Sequence, residues 1–327
     1  MRRFPFIFCT KERFLVAVTI RDVAALAGVS PSTVSRTCRN SPSISEETKQ
    51  RVRQAAKQLG YVMEGASAQS SAPRTIGVIL PPSAREVFEN PFYLEMIRGI
   101  NQFCNAHQYI STIVTGRDNE EILAAIRLLV SSGAADAFIL LYSRPGDTVM
   151  DYLVQAKLLD VLIGKAYAYA NKTVYIDNDN FLAGQEATEY LIRRGPRRIA
   201  DLGSDNAYFV TADRRRGYQA ALALANIPVR SDYCVEMPSL DSGDAAVHAL
   251  IDRTDRPTAI VVSDDLLGMT LERACLTHGL SIPRDISIIS FNNSLFAKLT
   301  SPRLTSVDLN SFQLGIEAAS QLISHVE

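Results

Sequence analysis

The chain has 327 residues, of which 47% are hydrophobic and 21% are charged. This composition excludes a wholly disordered protein, and the length allows two or three domains. The net charge of −1 alone would argue against nucleic-acid binding, but residues 19–61, the basic segment, hold seven Lys or Arg against three acidic residues. The five cysteines are scattered and form no C-x-x-C pair, so we expect a reducing, cytoplasmic environment without a disulfide framework or zinc site.

Residues 1–18 begin in the manner of an export signal. The apolar run from Phe4 to Cys9 is short, however, and the charged residue Lys11 follows closely. We therefore expect a disordered extension, or a start codon placed too far upstream, instead of a signal peptide. No apolar run approaches the roughly 20 residues that a membrane-spanning helix needs.

The basic segment predicts three short helices. Thr19 can cap the first helix, and Gly28 can end it in the left-handed conformation. Ser30 can cap the second helix, with Pro31 at its first position, and Ser45 can cap the third. Two short helices joined by a tight, glycine-containing turn are typical of a helix-turn-helix domain, whose second helix reads the major groove of DNA.

The run from Thr19 to Arg36, with Leu59-Gly60-Tyr61, resembles the headpiece of the LacI/GalR family of transcriptional repressors. The resemblance implies a homodimer that binds a pseudo-palindromic operator in double-stranded DNA. It implies that bases or phosphates are contacted by Thr19, Ser30, Pro31, Ser32, Thr33, Ser35, Arg36, Arg39, Ser45, Thr48 and Tyr61. A small helical domain with a merely solvated polar face is the alternative interpretation of the same pattern.

Residues 62–75 have no strong periodicity and are predicted to form a hinge linker. Members of the family usually have Pro-Asn where this chain has Met63 and Glu64. Ser70 stands near the position of a leucine that wedges into the minor groove. Because a serine cannot unstack a base step as an apolar wedge does, the sequence predicts weak bending of the operator.

From residue 76 onward, short apolar strands alternate with amphipathic helices, which predicts an α/β fold with parallel sheets. Strands are predicted at 76–80, 110–114, 137–141, 161–163, 173–176, 198–202, 259–262 and 286–291. Helices are predicted at 93–107, 183–193, 214–225, 266–278 and 311–326. The family resemblance implies a two-lobed domain of the type I periplasmic-binding-protein kind over 76–327, which binds an effector and forms the dimer. Its N-lobe would span about 76–177 plus 306–327, and its C-lobe about 178–305. Family members usually continue past the last helix to a final strand, so the C-terminus is expected to be truncated.

Polar and aromatic residues follow several predicted strands, in the segments 90–93, 177–179, 213–218, 263–265 and 291–293. The carboxyl ends of strands in α/β sheets border a crevice, where aromatic rings can stack on a sugar and carboxylates can accept hydrogen bonds from its hydroxyls. Any single segment could instead be a helix cap or a surface turn. The family resemblance assigns effector contacts to Phe92, Tyr93, Asp179, Arg214, Asp264, Phe291 and Asn292.

Segments 81–83, 90–93 and 102–104 are similar to the maltose-operon repressors of the family. The expected effector is therefore a small carbohydrate, such as maltose or a maltodextrin, without a cofactor, a metal or a membrane partner. The sequence contains no P-loop, zinc-protease or nucleophile-elbow motif, so no enzyme is expected. A carbohydrate-binding module without a DNA role and a sugar-acting enzyme are the alternatives.

Overall fold

The structure, a computed structural model, describes residues 6–9, 19–38, 41, 44–59, 74–82, 86–135, 137–204, 207–237 and 240–326, with backbone alone at 6–9, 86, 88 and 240–244. The chain divides into two compact units. One lies within Glu12–Pro73, and the other comprises Met1–Lys11 and Arg74–Glu327. No helix in the described part of the chain is long and apolar enough to cross a membrane.

The smaller unit, the headpiece, contains three helices, as the sequence predicts: α1 (Ile20–Ala27), α2 (Pro31–Cys38) and α3 (Glu46–Leu59). One residue from each helix anchors the core. Val23, Val34 and Val52 have no exposed surface, and alanines of α1 and α3 pack around them. Each helix is short, so its stability in water depends on this shared apolar cluster.

The helix ends of the headpiece are formed by local hydrogen bonds. The Asp22 carboxylate accepts hydrogen bonds from both the backbone N–H and the hydroxyl of Thr19, each at 2.7 Å, which is the predicted capping box. Gly28 has a φ of +66° and ends α1. The Thr33 N–H donates to the Ser30 hydroxyl at 3.2 Å, so the predicted cap of α2 is also confirmed.

The larger unit consists of two lobes, each built on its own sheet. The sheet of the first lobe has the order β1-β6-β5-β4-β2-β3 and is parallel except at β1. Its strands are β1 (Phe6–Cys9), β2 (Arg74–Ile79), β3 (Tyr109–Val114), β4 (Ala137–Leu140), β5 (Leu159–Ile163) and β6 (Val174–Asn178). Successive residues alternate between two apolar clusters on opposite faces, with Val78 in one and Ile79 in the other.

The sheet of the second lobe is parallel throughout, in the order β11-β10-β9-β7-β8. Its strands are β7 (Ile199–Gly203), β8 (Cys234–Glu236), β9 (Ala259–Val262), β10 (Ser287–Phe291) and β11 (Thr305–Val307). Because β11 pairs with β10, the chain returns to the first lobe after residue 307, slightly later than the predicted boundary at 305.

Helices cover both faces of the two sheets. They are α4 (Glu86–Glu89), α5 (Pro91–Ala106), α6 (Asn119–Ser131), α7 (Thr148–Gln155), α8 (Asn180–Ile192), α9 (Phe209–Leu224), α10 (Leu240–Ile251), α11 (Asp265–Thr277), α12 (Leu295–Leu299) and α13 (Ser311–Val326). Helices α6, α7 and α10 and the shorter elements were not predicted from the sequence. The predicted last helix at 311–326 is confirmed, and it packs against α5 in the first lobe.

Strand β1 corrects the expectation that residues 1–18 form a wholly disordered extension. Its backbone pairs antiparallel with β6, so that Phe6 lies opposite Asn178 and Cys9 lies opposite Tyr175. The physical reason is that the outer edge of β6 offers backbone donors and acceptors that another strand can satisfy. The rest of the segment, residues 1–5 and 10–18, lies outside the described residues.

Each lobe contains one helix pair in near backbone contact at glycines. In the first lobe, Cβ atoms at Gly99 or Gly315 would overlap the backbone of the facing helix in the pair α5 and α13. In the second lobe, a Cβ atom at Gly184 of α8 would overlap the backbone carbonyl of Arg214 in α9, and Gly217 is equally confined. The position of α9, and with it the side chain of Arg214, therefore depends on glycine at the crossing.

Candidate functional site

The exposed end of α2 is the first candidate site. Ser30, Pro31, Ser32 and Arg36 are exposed, and Thr33 is partly exposed. The Ser30 hydroxyl lies 2.8 Å from the Ser32 hydroxyl and 2.9 Å from the Thr33 hydroxyl. A helix with short hydroxyls at its N-terminus and an exposed arginine in its last turn, as here, can donate hydrogen bonds to phosphates and to base edges. Ser35, the remaining predicted contact in this helix, is also partly exposed.

The other predicted DNA contacts lie at the ends of α1 and α3. Thr19 is exposed, with its hydroxyl bound to Asp22. The Ser45 hydroxyl caps α3 by accepting from the Thr48 N–H at 3.3 Å, and it donates to the Thr48 hydroxyl at 2.9 Å. These residues therefore have a structural role that does not depend on DNA. The predicted contacts Arg39 and Tyr61, and the hinge with Met63, Glu64 and Ser70, lie outside the described residues.

A cavity of about 240 Å³ between the two lobes is the second candidate site. Loops at the carboxyl ends of strands in both sheets line it, where ligands bind in open α/β folds. Five of the seven predicted effector contacts belong to the lining: Phe92, Tyr93, Arg214, Asp264 and Asn292. The lining brings together residues more than 200 positions apart in the sequence.

Two of the predicted effector contacts, Asp179 and Phe291, do not line the cavity. Asp179 is not part of the lining, and its carboxylate caps α8 by accepting from the Leu182 N–H at 2.9 Å. Asp177 lines the cavity instead. Phe291 is fully buried beneath the site, and its ring supports the Arg214 guanidinium, which lies 4.4 Å from the ring centre. The physical reason for the position of Asp179 is that it follows the end of β6 as the N-cap of α8, where its carboxylate accepts a hydrogen bond from the first turn of the helix.

Arg214 is buried at the centre of the lining and is held in a fixed position. Its Nε donates to the side-chain oxygen of Asn180 at 3.0 Å, and one Nη donates to the Ser263 carbonyl at 2.6 Å. Burial lowers the pKa of Arg214 to about 10, opposed by the nearby Asp264 carboxylate. The guanidinium therefore stays charged at neutral pH, and it can donate hydrogen bonds to a ligand.

Asp177 and Asn178 supply acceptors to the lining of the cavity. The Asn180 side chain donates to the Asp177 carboxylate at 2.9 Å, which links Asp177 to Arg214. Burial raises the pKa of Asp177 to about 7, so the carboxyl group titrates near neutral pH. The Asn178 amide nitrogen donates to the Leu309 carbonyl at 3.1 Å, whereas its buried oxygen has no partner among the described residues.

Asp264 combines two roles at the start of α11. Its carboxylate accepts from the Leu267 N–H at 2.9 Å, and the same side chain lines the cavity. Burial raises the pKa of Asp264, and burial also raises the pKa of Tyr93. Asp264 is therefore a helix cap that also lies at the cavity, where the predicted contact with an effector would form.

Aromatic rings from both lobes form much of the wall. The Phe92 and Tyr93 rings meet edge to face at 5.6 Å, and the rings of Tyr142 and Tyr208 meet across the lobes at 6.3 Å. Three further residues of the lining were not predicted from the sequence: Tyr142, Tyr208 and Lys165. Tyr142 directly follows a predicted strand, so its position at a carboxyl end was the available signal. Such rings can stack on the apolar faces of a sugar ring.

The described residues contain no group of three or more His, Cys, Asp or Glu side chains arranged to hold a metal ion. The lining instead combines aromatic rings, two carboxylates, four asparagine amides, a lysine and a buried guanidinium. These groups can stack on a polar ligand and exchange hydrogen bonds with several hydroxyls.

The chain matches two family models. Residues 19–63 match the bacterial regulatory proteins of the lacI family, and residues 73–327 match the periplasmic binding proteins and sugar binding domain of the LacI family. Among curated proteins, the transcriptional regulator MalR of Streptococcus pneumoniae is 34% identical over 317 residues, which is 94% of this chain and 93% of MalR.

Two solved structures are similar to this one. A complex of the transcriptional regulator CelR with cellobiose has a TM-score of 0.72 and 28% identity, covering 94% of this chain and 93% of CelR. A candidate LacI regulator from Bacillus cereus subsp. cytotoxis NVH 391-98 has a TM-score of 0.74 and 40% identity, covering 77% and 90% of the two chains. These matches favour a regulator over a binding module without a DNA role. The chain belongs to the LacI family of bacterial transcriptional regulators, which are DNA-binding proteins and not enzymes.

Proposed function

We propose that this protein is a cytoplasmic, homodimeric repressor whose affinity for operator DNA is controlled by a neutral carbohydrate, with maltose or a short maltodextrin as the first candidate. The observation that carries the proposal is the composition of the cavity between the lobes. Its aromatic walls and its alternating donors and acceptors suit a ligand with apolar ring faces and many hydroxyls.

The charges of the lining favour an uncharged ligand. Lys165 and Arg214 are cationic, Asp264 is acidic, and Asp177 is acidic above its pKa of about 7, so the charges of the lining largely cancel. Arg214 already has protein acceptors in Asn180 and the Ser263 carbonyl. A phosphorylated sugar would need an excess of donors and positive charge, which this lining does not offer.

The relatives support a disaccharide. The MalR relatives are maltose-operon repressors, and the solved CelR structure is a complex with cellobiose. Both ligands contain two glucose units, and the aromatic pairs at different points of the wall would allow each ring its own stacking surface.

In the proposed mechanism, two headpieces of a dimer bind the two half-sites of an operator. The residues proposed to contact DNA are those of the exposed α2 surface, chiefly Ser32 and Arg36. The effector binds between the lobes and favours their closed arrangement, which alters the affinity for the operator. By thermodynamic linkage, operator DNA must change the affinity for the effector by the same factor.

A gel-shift titration tests the proposal. Operator DNA is first selected from a random pool with the full chain, and its affinity is then compared with that of random DNA at moderate salt, with and without maltose, maltotriose, cellobiose and glucose. No preference for the selected DNA would contradict the regulatory role. If cellobiose changes binding and maltose does not, only the identity of the effector is wrong.

The variant Arg214→Met provides the matched control, because it keeps most of the side-chain volume and removes the donors. We expect Arg214→Met to bind selected DNA as the wild type does, since Arg214 belongs to the larger unit. The sugar concentration needed for a half-maximal response should rise at least about tenfold, because the variant loses a charged hydrogen bond to the ligand. A full sugar response in this variant would contradict the proposed site.

A further inference from the structure

Two segments from different lobes meet at the rim of the cavity. The loop after β5 contributes Lys165 and Tyr167, and the start of α9 contributes Phe209. The ring centres of Tyr167 and Phe209 are 4.1 Å apart. Phe209 and Lys165 line the cavity, whereas Tyr167 is about half exposed, so this contact lies between the cavity and solvent.

Polar contacts reinforce the stacked rings. The Tyr167 hydroxyl lies 3.3 Å from both carboxylate oxygens of Asp213, and the Arg216 guanidinium lies 3.4 Å from the same hydroxyl. The hydroxyl can therefore donate to Asp213 and accept from Arg216. The ammonium group of Lys165 lies 3.8 Å from Asp213, which is otherwise a buried residue.

A backbone hydrogen bond joins the lobes beside these side chains. The Phe209 N–H donates to the Ser143 carbonyl of the first lobe at 3.2 Å. The Ser143 hydroxyl in turn donates to the Lys165 carbonyl at 2.6 Å, which ties the Tyr167 loop to the end of β4. The side-chain and backbone contacts thus form one continuous bridge across the rim.

We propose that Tyr167 and Asp213, with Phe209, form a clasp that holds the two lobes together and controls how often the cavity opens. Its contacts are partly exposed and individually weak, which suits a closure that must reverse in each binding cycle. No ligand is needed to form the clasp, because its members bind one another. The clasp would also slow the release of the effector, and this part of the proposal rests on the proposed function.

Hydrogen exchange at the Phe209 amide reports the state of the clasp directly. Phe209 is the first residue of α9, so its N–H has no acceptor within the helix. Its described acceptor, the Ser143 carbonyl, belongs to the other lobe. Protection of this amide therefore requires the lobes to be closed, and the measurement needs neither sugar nor DNA.

The test measures amide-resolved exchange at Phe209 in the full chain without ligand. We expect Tyr167→Ala to accelerate exchange about tenfold, and Tyr167→Phe, which keeps the stacked ring, to accelerate it about threefold. Tyr169→Phe is the matched control. It also removes a hydroxyl from the same loop, but the Tyr169 hydroxyl donates to Asp151 within the first lobe and not across the rim. Asp213→Asn should also accelerate exchange.

Unchanged exchange in Tyr167→Ala would overturn the clasp, as would equal acceleration in Tyr167→Phe and Tyr169→Phe. Because Tyr167 is half exposed, its variants should fold even if Asp213→Asn does not. A failure of every sugar to bind would contradict the proposed effector, and the exchange result would still decide whether the clasp exists.

Discussion

The guanidinium of Arg214 lies 4.4 Å above the ring of Phe291, a fully buried residue that does not itself line the cavity. The ring supports the charged group from below, while Asn180 and the Ser263 carbonyl hold two of its nitrogens. A residue with no access to the ligand therefore helps to determine where the main cationic group of the site lies.

Phe291→Leu should weaken maltose binding about thirtyfold, because a buried cation–π contact is worth about 2 kcal/mol. Isothermal titration calorimetry with the full chain measures the change. Phe138→Leu is the control, since Phe138 is also fully buried but lies in the first lobe outside the lining. A similar loss of affinity in both variants would indicate a general loss of stability instead of a role for the ring beneath Arg214.

Gly184→Ala should lower both stability and effector affinity. The added methyl group would overlap the Arg214 carbonyl, so α8 and α9 must separate and Arg214 must move. We expect a loss of about 1–3 kcal/mol in the free energy of unfolding, as for other overpacked sites.

Gly99→Ala creates the equivalent overlap in the first lobe, and it should cost similar stability with a smaller loss of affinity. Thermal unfolding and calorimetry of the two variants separate the effects. If Gly99→Ala weakens maltose binding as strongly as Gly184→Ala, the displacement of Arg214 is not the cause.

Asp177 should make effector binding depend on pH near neutrality. Its pKa is raised to about 7 in the folded protein, so the charged carboxylate, the better acceptor for hydroxyls, predominates only above that pH. We expect the affinity for maltose to rise between pH 6 and pH 8. Asp177→Asn should bind more weakly at pH 8 and show a flatter profile, and an unaltered profile would contradict this assignment.

The same shift predicts the opposite trend in the stability of the ligand-free protein. A carboxyl group whose pKa is raised on folding contributes stability that is complete below its unfolded pKa and is lost as the pH rises through 7. The loss from this one group between pH 6 and pH 8 is about 1.4 kcal/mol. Burial also raises the pKa of Asp201, to about 6, so Asp201 contributes to the same pH dependence of stability. Denaturant titrations of the wild type and Asp177→Asn separate the contribution of Asp177 from that of Asp201.

Arg36→Ala should reduce operator binding more than the loss of one charge elsewhere in the headpiece. Arg36 is exposed on α2, and Lys57 is exposed near the end of α3. Lys57→Ala is the control. Arg36→Ala and Lys57→Ala each remove one positive charge, so a purely non-specific electrostatic effect would weaken DNA binding equally in both variants. We expect Arg36→Ala alone to lose about 1–3 kcal/mol of binding to selected DNA, measured by gel shift at several salt concentrations.

The caps of the headpiece could be predicted from the sequence because they involve residues three positions apart. Asp22 and Thr19, or Thr33 and Ser30, form their hydrogen bonds wherever the local backbone turns into a helix. The glycine with positive φ at Gly28 follows from the same local geometry. The alternation of strands and helices in the larger unit was likewise visible as apolar periodicity.

The place of Asp177 in the lining of the cavity could not be predicted from local sequence. Asp177 and Asp179 both follow the predicted strand at 173–176, but the structure has Asp177 within β6 at the cavity and Asp179 as the N-cap of α8. The sequence determined by itself that this chain has a helix-turn-helix headpiece and an α/β body with polar strand ends. The tertiary structure was needed to show which strand-end residues meet and to show that Tyr167 contacts Asp213. These contacts join segments far apart in the chain, so they depend on how the two lobes pack.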